Sequence, residues 1–98
     1  MLVFVFNPTP MIPNVFTPNG DEVNDEFKAF FPGTAIQVVT FKVFNRWGQI
    51  VHNVSDNTPW EGEHNGKPAP SDVYVYQIIY ELPGGLRKEE KGDVTLAR

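Results

Sequence analysis

The sequence predicts an all-β fold, a small antiparallel β-sandwich of immunoglobulin-like outline with about seven strands. Three observations carry the prediction. No window of 11 or more residues shows the i, i+3, i+4, i+7 recurrence of an amphipathic helix, and Pro or Gly interrupts nearly every stretch. Short runs rich in Val, Ile, Phe, Tyr and Thr alternate with turn residues at about 8–12-residue spacing. The chain has 98 residues, enough for one core. By surface scaling, a chain of this mass buries about 65 % of its unfolded surface, so it needs no disulfide to fold.

Strands are expected at residues 2–6, 15–16, 26–30, 36–45, 49–53, 73–82 and 86–97. Turns separate them at Pro18-Asn19-Gly20-Asp21, Pro32-Gly33, Trp47-Gly48, Asn65-Gly66-Lys67-Pro68 and Pro83-Gly84-Gly85. In 36–45 the alternation points Val39, Phe41 and Val43 inward and leaves Thr40 and Lys42 to solvent. The 73–82 run is apolar on both faces: Val73, Val75 and Ile79 on one, Tyr74, Tyr76, Ile78, Tyr80 and Leu82 on the other. That suits a central strand covered on both sides, or one with a tyrosine side whose hydroxyls reach water. The Pro-Gly-Gly turn then closes a C-terminal hairpin.

Composition removes several function classes. With no cysteine, thiol catalysis, Cys-ligated zinc and iron–sulfur chemistry are excluded. A net charge of −4 lacks the basic footprint of a nucleic-acid binder. No apolar run approaches the roughly 20 residues of a membrane-spanning helix. The first positive charge is Lys28, so no signal-peptide n-region precedes the apolar 2–6 run, and the chain reads as a piece of a longer protein.

Catalytic motifs are missing: no G-x-S-x-G, H-E-x-x-H, P-loop or dinucleotide fingerprint occurs. His64 beside Glu61 and Glu63 reads as a polar loop tip, and Ser55 and Ser71 have no base at a recognisable spacing. Glu89 and Glu90 fall on opposite faces of a strand, which is wrong for a shared proton. No cofactor is expected, with calcium the one candidate. Asn19, Asp21, Asn24 and Asp25 place four oxygen-bearing side chains within seven residues, a donor set that suits Ca²⁺. The spacing is not that of an EF-hand. A Pro-Asn-Gly-Asp turn whose Asx side chains bond their own backbone accounts for the same residues without metal.

Two further blocks stand out. In Asn45-Arg46-Trp47-Gly48 one strand ends and the next begins at once, a tight hairpin with Gly48 at φ > 0 and Arg46 near the Trp47 face. Trp60-Glu61-Gly62 leads into Asn65-Gly66 and then the tyrosine-rich strand. Both tryptophans are expected to pack in the core. Exposed rings would instead suggest a docking surface.

Taken in order, Val15-Phe16-Thr17-Pro18-Asn19-Gly20-Asp21, Val23-Asn24-Asp25, Phe27, Phe44-Asn45-Arg46-Trp47-Gly48, Trp60-x-Gly62, Asn65-Gly66, Val73-Tyr74-Val75-Tyr76 and Gly92-Asp93-Val94-Thr95-Leu96-x-Arg98 resemble the gliding-motility-associated C-terminal domain, the type B sorting domain of the type IX secretion system. The sequence departs from that pattern at Glu22, where glycine is usual, and at Ala97, where a larger apolar residue is common. The resemblance covers residues 12–98 and leaves 1–11 as a linker or the end of a preceding domain. It implies a non-catalytic address attached to an N-terminal cargo. Outer-membrane translocon and accessory proteins would read it once the cargo has reached the periplasm, and the cargo would end on the cell surface or outside the cell. It also implies recognition roles for Asn45, Arg46, Trp47, Gly48, Trp60, Gly62, Tyr74, Tyr76, Gly92 and Arg98. From another class, an immunoglobulin-like adhesin or carbohydrate-binding module would use the Trp and Tyr rings.

Overall fold

The structure, a computed structural model, describes residues 9–20, 24–33 and 35–98. Seven strands follow in order: β1 (Val15–Phe16), β2 (Gln37–Phe44), β3 (Ile50–Val54), β4 (Glu63–His64), β5 (Lys67–Pro68), β6 (Asp72–Glu81) and β7 (Arg87–Leu96). The strand expected at 2–6 lies outside the described residues.

The all-β class holds, with a different arrangement. Five strands form one sheet in the order β1-β7-β6-β2-β3, and β4-β5 form a separate two-stranded hairpin. The sheet is mixed rather than antiparallel, because β1 runs parallel to β7, pairing Val15 with Thr95 and Phe16 with Leu96. Two facing sheets, as in an immunoglobulin-like sandwich, are not formed by the described residues. Irregular chain covers the inner face of the five-stranded sheet instead, inserting Phe27, Ala29, Trp60 and Ala69 into the core.

The β6–β7 hairpin is the backbone of the molecule. All ten residues of each strand pair, from Asp72 with Leu96 to Glu81 with Arg87. The connecting turn is closed by hydrogen bonds from Leu82 N–H to the Leu86 carbonyl (2.7 Å) and from Gly85 N–H to the Leu82 carbonyl (3.0 Å). Gly84 (φ 95°) and Gly85 (φ 91°) supply the left-handed backbone that a side chain would strain.

Side-chain alternation settles which face is buried. In β6 the even residues Tyr74, Ile78 and Tyr80 are buried, while Val73 and Val75 are about half exposed. The tyrosine side is therefore the core side. In β2 the expected alternation is broken: Val38, Phe41 and Val43 are buried, and Val39 is not. The pairing of β2 with β6 slips between Val38 and Thr40, and one extra residue at such a bulge reverses the phase of every side chain before it.

The 26–30 run is not a continuous strand. Phe27 bridges Trp60 and Phe30 bridges Met11, each in isolation. Conversely, residues 63–68, expected as turn alone, form a hairpin around Asn65 (φ 55°) and Gly66 (φ 76°), two left-handed residues joining β4 to β5.

The core is largely aromatic. Phe16, Phe27 and Phe41 lie in succession at centroid separations of 5.9 and 5.8 Å, and Phe16, Trp60 and Tyr74 at 5.3 and 4.9 Å. Such tilted and edge-on pairs each contribute about 0.5–1.5 kcal/mol beyond their area burial.

Candidate recognition surface

The ten residues singled out from the sequence fall into three clusters. The first centres on Arg98, whose guanidinium closes three separate loops. Its Nε donates to the Ala69 carbonyl (2.9 Å), Nη2 to the Gly62 carbonyl (2.6 Å) and Nη1 to the Pro18 carbonyl (3.4 Å), and its backbone N–H donates to Ser71 Oγ (3.0 Å). A planar fork of donors suits such a task, and a lysine could not span it. Gly62 makes room for this arrangement. A Cβ there would stand 2.9 Å from Leu96 Cδ1, 3.1 Å from Arg98 Nη2 and 3.3 Å from Pro18 Cγ, and its φ of 79° already disfavours a side chain.

The second cluster lies in the core. Trp60 is buried, donates its indole N–H to the Glu63 carbonyl (2.8 Å) and pairs by backbone with Phe27. Tyr74 is buried and its hydroxyl donates to the Pro70 carbonyl (2.7 Å). Tyr76 lies across Gly92, its cross-strand partner, and packs against Phe27 at 5.4 Å. Burial raises the hydroxyl pKa of Tyr74, Tyr76 and Tyr80 above the ordinary tyrosine value, so all three are neutral throughout the physiological range.

The third cluster is the β2–β3 turn. Asn45 organises it: Oδ1 accepts from the Trp47 N–H (3.0 Å) and the Gln49 N–H (2.9 Å), and Nδ2 donates to Gln49 Oε1 (2.8 Å). Backbone bonds from Asn45 N–H to the Gln49 carbonyl and from Gly48 N–H to the Asn45 carbonyl complete it, with Gly48 at φ 79°. Trp47 does not pack in the core as expected. It is 73 % exposed, with the Arg46 guanidinium 5.6 Å from its ring centre and tied through Nε to Asp72 at 3.2 Å. Two residues from the turn centre to either strand leave a tip too short to fold its ring back over the sheet.

The oxygen-rich turn closes on itself. Asp25 Oδ1 accepts from the backbone N–H groups of Asn19 (3.1 Å) and Gly20 (3.2 Å). Thr17 N–H donates to the carbonyl of Asn24 (2.7 Å), which sits at φ 52°. Asp21, with Glu22, lies outside the described residues. Among the described residues no group of three or more His, Asp or Glu side chains is placed to hold a metal ion.

Sequence reasoning gave no partner to His52 or to Glu89. His52 stands edge-on to Phe41 at 4.8 Å and donates Nε2–H to the Thr58 carbonyl (2.9 Å). Its pKa is lowered by burial, against the opposing pull of that carbonyl and of Asp56. Glu89 is held below the usual carboxylate value by hydrogen bonds from Gln77 and Lys91. Each shift has a structural cause in packing or a neighbouring bond. The alternating apolar pattern of a β-strand carries no signal for which histidine lies against a ring.

No curated protein matches the sequence. Residues 10–96, nearly the whole chain, match the CHU_C Type IX secretion signal domain, a non-catalytic family of C-terminal sorting signals for export to the cell surface or exterior. Matched over nearly its whole length, the chain belongs to the CHU_C family of type IX secretion signal domains.

Proposed function

We propose that this domain is a folded address, read by outer-membrane translocon and accessory proteins of type IX secretion after an N-terminally attached cargo has entered the periplasm. The family match over residues 10–96 carries the reading. The geometry supports recognition in the folded state. β7 cannot act as a free peptide tail while all ten of its residues are paired to β6 and Val94 and Leu96 are fully buried. A rigid surface also loses little entropy on docking.

The test is a reporter carrying a periplasmic signal and the whole chain at its C-terminus, expressed in cells with and without the translocon. Extracellular reporter should appear only with the translocon. Val94→Asp, which places a charge in the core, should abolish it. Export without the translocon would refute the assignment, and wild-type export of Val94→Asp would refute reading in the folded state.

A further inference from the structure

Trp47 borders a cleft of about 200 Å³ at the end of the sheet. The turn and β3 contribute Trp47, Gln49 and Val51 to its lining, and β4, the loop before β6 and β6 itself contribute His64, Pro70 and Tyr74. Buried Tyr74 places the cleft on the core side of the sheet. Pockets that enclose drug-sized ligands hold about 300–1,000 Å³. This one is smaller and suits a single flat ring laid against an aromatic wall.

The wall is held ready. Trp47 is 73 % exposed, yet its position is fixed by Asn45, whose Oδ1 accepts from the backbone N–H groups of Trp47 and Gln49. The Arg46 guanidinium stands 5.6 Å from the ring centre and is itself tied to Asp72. An indole preorganised in this way loses little freedom when a ligand stacks on it. Trp60, Tyr74 and Tyr80 offer no such platform, since each is 2 % exposed.

The polar groups of the lining divide into committed and free. The Asn45 amide is taken up by the turn, and the Tyr74 hydroxyl donates to the Pro70 carbonyl. Gln49 accepts from Asn45 through Oε1, which leaves its Nε2 without a partner among the described residues. Neither ring nitrogen of His64 has one there either. Asp72 is the sole carboxylate of the lining and is paired with Arg46, and no lysine or arginine lines the cleft. An ionic ligand would therefore meet no unpaired counter-charge. A neutral ligand with an apolar face for the indole, and hydroxyls that both donate and accept at its edge, matches every one of these groups. A sugar ring has that chemistry.

We infer that the cleft is a binding subsite for a neutral sugar ring, stacked on Trp47 and hydrogen-bonded by Gln49 Nε2 and the His64 imidazole. This is an activity beyond secretion and does not depend on how the domain is exported.

The test is titration of the purified chain with cellohexaose, mannohexaose and chitohexaose, read by calorimetry and by tryptophan emission. At least one should bind saturably at millimolar concentration and change the emission of Trp47, with buried Trp60 unaffected. Trp47→Ala should weaken that binding about tenfold or more, and Trp47→Phe should retain part of it. Gln49→Glu keeps the acceptor for Asn45 and removes the donor, so it should lose about two- to tenfold, as should His64→Ala. Val75→Thr, an exposed change on the opposite side of β6 from Tyr74, should bind as wild type. All these variants should melt within about 5 °C of wild type. Failure of the folded wild type to bind any of the three sugars would overturn the inference, and so would unchanged affinity in folded Trp47→Ala. Should Trp47→Ala unfold, Gln49→Glu and His64→Ala decide, and unchanged affinity in both overturns it. A dimer of the purified chain that Trp47→Ala dissolves would assign the cleft to a second copy instead.

Discussion

Gly92 is a glycine for reasons of space, and the reason can be isolated. Its backbone is in a region open to any residue, so alanine meets no torsional penalty there and would gain about 0.4–1 kcal/mol by restricting the unfolded chain. The added Cβ, however, would stand 2.6 Å from Tyr76 Oη, 2.9 Å from Cζ and 3.1 Å from Cε2. The ring cannot simply rotate away, because its other face packs on Phe27 at 5.4 Å. Displacing a packed ring costs about 1–3 kcal/mol. Gly92→Ala should therefore destabilise the domain by about 1–2 kcal/mol net, a fall in melting temperature of about 4–16 °C for a chain of this size. In a Tyr76→Leu background the side chain no longer reaches Gly92, and the same substitution should become neutral or stabilising by up to about 1 kcal/mol. Urea unfolding of all four proteins, followed by the fluorescence of buried Trp60, closes the double-mutant cycle. An equal loss in both backgrounds would refute the reasoning, since Tyr76 could then not be its source.

Three other outcomes follow from the geometry. Arg98→Ala should cost about 1–3 kcal/mol by removing charge-assisted bonds to the carbonyls of Ala69, Gly62 and Pro18, and Arg98→Lys should recover only part of it; full recovery by lysine in thermal melts would show that charge alone suffices. Asp25→Ala should cost about 1 kcal/mol through its two backbone donors, while a chelator leaves the wild-type melting temperature unchanged; a chelator-induced fall would establish a metal in the oxygen-rich turn. For His52, burial lowers the folded-state pKa, so the unfolded chain takes up a proton first as pH falls. Its contribution is complete above the unfolded value of about 6.5 and is lost as pH drops from there through the folded value. Melting curves of wild type and His52→Gln from neutral to mildly acidic pH should converge, and parallel curves would sink the assignment.

Local chemistry made β2, β3, β6 and β7 legible, because β-branched and aromatic runs bounded by Gly turns leave few alternatives. Three features depended on partners distant in sequence and were not legible. The parallel pairing of Val15-Phe16 with Thr95-Leu96 joins residues 80 apart. The bulge between Val38 and Thr40 is a property of how β2 meets β6. The 26–30 run has strand composition, but Phe27 and Phe30 find partners in two different segments and no ladder develops. The two tryptophans make the point most sharply. Both precede Gly by one or two residues in polar surroundings, and their local sequence is consistent with either fate. Trp60 is buried because Phe16, Tyr74 and the Phe27 backbone converge on it, whereas Trp47 stays exposed with the Arg46 guanidinium beside its ring.

A core covered by irregular chain rather than by a second sheet needs fasteners, and several residues singled out from the sequence serve as such. Loops have more freedom than strands and lose more entropy on being held against a sheet. Arg98 ties three of them at once, Asp25 closes the turn at Asn19 and Gly20, and Phe27 and Trp60 clasp each other through paired backbone bonds. These devices all act on the inner face of the sheet. A sandwich of the same size would bury one face of each sheet and expose two polar ones. The one-sided arrangement instead leaves Val73, Val75 and Ile50 about half exposed on a sheet whose frame is set by the full-length β6–β7 pairing. The inner-face fasteners fix the shape of the domain, so on the secretion reading substitutions in them should lower export in proportion to lost stability.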